Sequence, residues 1–70
     1  MESVGARIRR ARLKQGLSLQ SLADAIGVHL TTLWRWEHDE QEPRLSRVED
    51  IAEALGLSRS ALLGRERRKA

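Results

Sequence analysis

The chain has no cysteine, no phenylalanine and no tyrosine, and only one proline and one methionine in 70 residues. Without cysteine there is no disulfide and no thiolate metal site to staple a small domain. The only aromatics are Trp34 and Trp36. The core must therefore come from Leu, Ile, Val and Ala, packed tightly or completed by a second copy. A chain of this length buries only about 60% of the surface its unfolded form exposes. No apolar run is long enough to cross a bilayer, and the N-terminus lacks the apolar core of a signal peptide. A cytoplasmic protein without membrane association is the expectation. There is no alternating apolar run, no Asn-Gly turn and no internal repeat, so strands are not expected. His29 and His38 have no clustered ligands around them, and no Ser/His/Asp grouping or glycine-rich phosphate loop is present. Neither an enzyme nor a metal or cofactor carrier is expected.

Charge is plentiful but segregated. The formal net charge is only +3. Arg7, Arg9, Arg10, Arg12 and Lys14 crowd one early segment, and Arg65, Arg67, Arg68 and Lys69 crowd the tail. From Glu37 to Glu53 lie Glu37, Asp39, Glu40, Glu42, Glu49, Asp50 and Glu53, against Arg44 and Arg47 alone. Basic ends suit a polyanion partner, whereas the acidic middle does not. Helix charge runs are often simply solvated faces, and much of the early run reads that way.

Gly16, Gly27, Pro43 and Gly56 punctuate the chain. Each glycine closes a segment of helical period, as a left-handed cap does. A first helix is expected from about Val4 to Gln15, capped by Ser3, with Val4, Ile8 and Ala11 facing inward. A second starts after Ser18, a good cap, with Leu22, Ala23 and Ile26 on one face. A third begins near Leu30, with His29 at the cap. A fourth covers roughly Leu45 to Leu55, where Leu45, Val48, Ile51, Ala52 and Leu55 follow the 3.6-residue period. Ser46 and Glu49 fit a capping box there, unless the helix begins a residue or two earlier. Ser58 caps a short last helix carrying Leu62 and Leu63. These segments predict an all-α, five-helix bundle over residues 1–64, followed by a basic tail over residues 65–70.

The densest information runs from Leu17 to Glu37: a short helix, a tight turn at Gly27 and a second short helix. That is the helix-turn-helix pattern, whose second helix can enter the major groove of DNA. In that helix Leu33 and Trp36 lie three apart and can face the core. Leu30, Thr31, Trp34 and Arg35 then form one outward stripe. Arg35 can fork to guanine O6 and N7, while Thr31 and Leu30 can pack on a thymine methyl. The plainer readings are a solvated or phosphate-bound arginine, and Leu30 and Trp34 packed against a partner protein or a neighbouring subunit. Ser18 and its neighbouring amides start a helix, a natural phosphate seat.

These residues resemble a family, the helix-turn-helix domains of lambdoid phage repressor and Cro and the small bacterial regulators like them. The resemblance runs from about Val4 to Leu63. It rests on Arg12-x-x-x-Gly16-Leu17-Ser18, Leu22-Ala23-x-x-Ile26-Gly27-Val28 and Leu33-x-Arg35-Trp36-Glu37. Pro43 and Ile51-Ala52-x-x-Leu55-Gly56-Leu57-Ser58 complete it. It implies a five-helix bundle that binds double-stranded DNA as a homodimer and acts as a repressor-type transcriptional regulator. It places Leu30, Thr31, Trp34 and Arg35 at base-reading positions, and Arg44 near phosphate or the minor groove. It also implies a partly buried ion pair between Arg12 and Glu37. Arg10 and Ser18 are further phosphate candidates, and Leu57, Leu62 and Leu63 are candidates for the dimer contact.

Two other roles fit the same residues. One is an antitoxin or controller protein using this domain. The other is a protein-interaction module that has lost DNA binding and docks a partner through Leu30 and Trp34 or the acidic loop. That loop, His38-Asp39-Glu40-Gln41-Glu42, departs from the family, which often has glycine at Asp39 and basic residues nearby. Carboxylates near phosphate oppose binding. Without the glycine, either Asp39 turns left-handed or the third helix runs further. Leu19 also departs, standing where some relatives have a phosphate-touching glutamine. It can instead staple the start of the second helix.

Overall fold

Serine caps and left-handed glycines divide the chain as their chemistry predicts. The computed structural model describes residues 2–64, and its elements are α1 (Val4–Lys14), α2 (Leu19–Ile26), α3 (Leu30–Glu37), α4 (Leu45–Leu55) and α5 (Arg59–Leu63). The expected basic tail over 65–70 lies outside the described residues. Ser3, Ser18 and Ser58 each accept a hydrogen bond from a backbone N–H in the first turn of the following helix: Ala6 at 3.0 Å, Ser21 at 3.0 Å and Ala61 at 3.1 Å. Gly27, at φ 71°, turns the chain between α2 and α3. The next amide, of Val28, then donates back to the Ala23 carbonyl at 3.0 Å. An L side chain at Gly27 would carry the strain of the left-handed region. No helix among the described residues is long and apolar enough to cross a membrane.

Eleven residues form the core: Ile8 from α1; Leu22, Ala23 and Ile26 from α2; Leu33 and Trp36 from α3; Val48, Ile51, Ala52 and Leu55 from α4; and Leu62 from α5. Val4, Ala11, Leu17, Leu19, Val28 and Leu63 pack against it, half-buried. Leu19, the first residue of α2, thus packs on the core. Side chains also satisfy carbonyls at helix ends, which the backbone ladder leaves open. Gln15 Nε2 donates to Leu55 O at 2.6 Å, and an Arg47 guanidinium nitrogen donates to Ile26 O at 3.3 Å.

Three expectations change. The first helix ends at Lys14, with Gln15 as its cap. The capping box at Ser46 does not form, because Arg44 is the N-cap of α4 and Ser46 already lies inside the helix. Its ladder starts with the Val48 amide on Arg44 O at 3.0 Å. Leu62 is not a surface residue. It is 1% exposed and belongs to the core, so it is no candidate for a dimer contact. Leu63 remains half-buried and Leu57 exposed.

At Asp39 the structure takes the left-handed alternative. Asp39 has φ 59°, α3 ends at Glu37 and His38 is its cap. Its carboxylate accepts a hydrogen bond from Ser3 Oγ at 2.8 Å. One acid of the acidic loop therefore ties the end of α3 to the start of α1. The same corner holds Gly5, buried within α1, where a Cβ would lie 2.0 Å from the Trp36 carbonyl oxygen and 2.7 Å from Asp39 Oδ1.

Candidate nucleic-acid interface

The faces of α3 divide sharply. Leu33, Trp36 and Glu37 are buried, and Thr32 is half-buried. Leu30, Thr31, Trp34 and Arg35 are exposed together on the opposite face, with Leu30 and Trp34 each 40% exposed. Arg35 forms no ion pair among the described residues, so its guanidinium is available to an external acceptor. Two bulky apolar side chains held in water on one helical turn suit a surface that becomes covered.

An ion pair locks this helix to the scaffold. Arg12 Nε donates to Glu37 Oε2 at 2.7 Å and its NH2 group to Oε1 at 2.9 Å, a two-pronged contact. The third guanidinium nitrogen donates to Leu17 O at 2.9 Å, at the start of the helix-turn-helix. The side chains are 10% and 1% exposed. The Glu37 hydrogen bond raises the Arg12 pKa above its ordinary value, against the lowering effect of burial. A fork this well matched to a carboxylate is work that lysine cannot do. Arg12 thus bridges α1, the α2 approach and α3.

The remaining site residues are distributed around this helix. The Ser18 hydroxyl is committed within the first turn of α2, accepting from the Ser21 amide and donating to Ser21 Oγ at 2.8 Å. Any anion there must be held by neighbouring amides. Arg44 is exposed at the start of α4 and forms no ion pair among the described residues. Arg10 is bridged to Glu2 at 2.9 Å. Such exposed bridges contribute little and release easily. Two contacts escaped the sequence reading. Gly5 carried a signal, since a glycine inside a helical pattern usually has a packing reason. His38 lies four residues after Trp34, the spacing at which helical side chains meet. Its ring stacks on the Trp34 indole, with centroids 4.1 Å apart and planes 18° from parallel.

Five helices around one aliphatic core, with an exposed stripe on the second helix of a helix-turn-helix, define a class of small helical nucleic-acid-binding domains. The family assignment agrees. Residues 8–62 match the Helix-turn-helix family, and the chain belongs to it. It is 36% identical over 64 residues to the immunity repressor protein of Bacillus phage phi105, covering 91% of this chain and 44% of that protein. The chain thus spans less than half the length of this relative. Among solved structures it resembles the P22 c2 repressor protein in complex with a synthetic operator. There the TM-score is 0.86 and identity 29%, over 94% of this chain and all of that one. It also resembles SinR of Bacillus subtilis, the master regulator for biofilm formation, in complex with DNA. That match has a TM-score of 0.79 and 32% identity, over 84% of this chain and 95% of that one.

Proposed function

We infer that this protein is a sequence-specific double-stranded DNA-binding regulator of transcription that places α3 in the major groove. The observation that carries this reading is the exposed stripe Leu30, Thr31, Trp34 and Arg35 on a helix whose other face is buried and ion-paired to the scaffold. The solved complexes of P22 c2 repressor and SinR with DNA support it. Binding would act by occupancy, the N-terminal amides of α2 and the Arg44 guanidinium meeting phosphate. The phi105 immunity repressor favours repression. A homodimer on DNA is part of the proposal, with half-sites about 10 base pairs apart. Leu57 and Leu63 remain as contact residues after Leu62 is assigned to the core. Sedimentation of the complex on a long selected site should give two chains per duplex, and one chain per duplex would remove the dimer.

Selection of bound duplex from a random pool tests the central reading. Arg35→Ala should then cost roughly 1–3 kcal/mol on the selected site and relax preference at one base pair. If Arg35 only touches phosphate, all sequences weaken alike and the selected profile stays unchanged.

The exposed Leu30 and Trp34 also favour a second reading, a docking face for a partner protein. The loop separates the two readings. Asp39 is bound to Ser3 and is left intact, while Glu40 and Glu42 are exposed. Replacing both with Gln should tighten binding to any duplex, most at low salt, where screening is weak. Folding should change by no more than about 0.5 kcal/mol. Flat DNA affinity across a salt series, with Arg35→Ala also silent, would favour the docking face.

A further inference from the structure

Resting on the assignment of α3 as a DNA-reading helix, we propose that His38 is a positioning residue that holds the Trp34 indole as a flat reader of a thymine C5-methyl group. The imidazole is anchored twice. It stacks on the indole at a centroid distance of 4.1 Å, and its Nδ1 lies 2.9 Å from the Trp34 carbonyl oxygen. That oxygen has only lone pairs to offer, so Nδ1 carries the hydrogen and donates. The His38 backbone N–H donates to the same carbonyl at 3.0 Å. The imidazole is thus tied to the backbone of the residue whose side chain it supports.

The support has a physical purpose. An unsupported tryptophan on an exposed helix face samples several rotamers, and ordering them on contact with DNA weakens recognition. With one face of the indole against His38, the ring is ordered before DNA arrives. The chemistry of the stripe then names the target. Leu30, Thr31, Trp34 and Arg35 include no carboxylate and no amide to pair with base amino groups. Arg35 suits guanine. The apolar surfaces of Leu30 and Trp34 suit the one apolar group on a base edge in the major groove, the thymine methyl.

Deoxyuridine removes that methyl and nothing else, which makes the test sharp. Duplex selected by the wild-type chain is compared with versions carrying deoxyuridine at each thymine in turn. At one position the wild type should weaken about fourfold, the worth of one buried methyl group. Trp34→Ala and His38→Ala should each lose that penalty while melting as cooperatively as wild type. His38→Phe keeps a stacking ring and should restore it. A full deoxyuridine penalty in His38→Ala overturns the role of His38 and leaves DNA reading by α3 intact. That stacking alone suffices to hold the indole is overturned if His38→Phe fails to restore the penalty, and the methyl target if no thymine is sensitive in wild type. Failure of the wild type to select any duplex overturns the DNA reading itself, and this proposal with it.

Discussion

Glu37→Ala is expected to lower the melting temperature by more than about 10 °C. The substitution removes the carboxylate that meets two guanidinium nitrogens of Arg12 and leaves Arg12 in a site where its side chain is only 10% exposed. Breaking a buried pair from one side costs about 3–5 kcal/mol, because the remaining charge is uncompensated. In a domain of this size each kcal/mol moves the melting point by about 4–8 °C. Arg12 retains one partner, the Leu17 carbonyl, so the lower end of that range applies. The double variant Arg12→Met/Glu37→Leu should recover much of the loss, since well-packed apolar replacements of buried pairs are often neutral. A change of only a degree or two in Glu37→Ala would mean the pair contributes orientation and little stability. Calorimetric melting of the single and double variants distinguishes these cases.

Much of this fold was legible because local and tertiary signals agree. Ser3, Ser18 and Ser58 are strong caps by intrinsic chemistry, and each is a cap in the structure. Gly27 and Gly56 take the left-handed conformation that their positions after apolar-periodic runs predict. The inward set of α2 follows directly from a 3.6-residue period, and so does that of α4 except for Leu45, which lies in the first turn and is 52% exposed. The contacts of Arg12 with Glu37 were a different matter. They lie 25 residues apart, and no local pattern joins them, so only the family resemblance suggested the pair.

What the sequence hid has equally specific causes. Ser46 and Glu49 have the spacing of a capping box, but the helix starts two residues earlier, with Arg44 as its cap, and the local motif is not used. Leu62 and Leu63 sit in a five-residue helix, too short for period to tell an inward residue from an outward one. The acidic run from Asp39 to Glu42 reads as one charged loop, yet Asp39 is structural. Its side chain bonds to a residue 36 positions earlier, a contact only the tertiary arrangement creates. The outward stripe of α3 was legible as geometry. The imidazole under Trp34 was legible only as a spacing of four.

The corner where α1 meets the end of α3 carries the second large effect. Gly5→Ala is expected to destabilise the chain by about 3 kcal/mol, the upper end of the usual range for overpacking. Helix propensity alone favours Ala over Gly by up to about 1 kcal/mol in a helix interior, so the expected sign runs against the local preference. The added methyl would sit 2.0 Å from the Trp36 carbonyl oxygen and 2.7 Å from Asp39 Oδ1. A flexible side chain could swing aside, but the nearest obstacle is backbone at the end of α3. Relief therefore means moving α1 and α3 apart, which also stretches the Ser3–Asp39 hydrogen bond and the Arg12–Glu37 fork. Because one displacement strains all these contacts, Gly5→Ala and Glu37→Ala should not add. Once one has loosened the α1–α3 contact, the other has less left to break. A double-mutant cycle in denaturant should give a coupling of at least about 0.5 kcal/mol, as residues sharing a backbone shift do. Additive losses would mean that α1 accommodates the methyl locally. A stabilised Gly5→Ala would mean that the close approach of Gly5 to Trp36 is absent in solution, leaving α3 held by the ion pair and the core packing of Leu33 and Trp36.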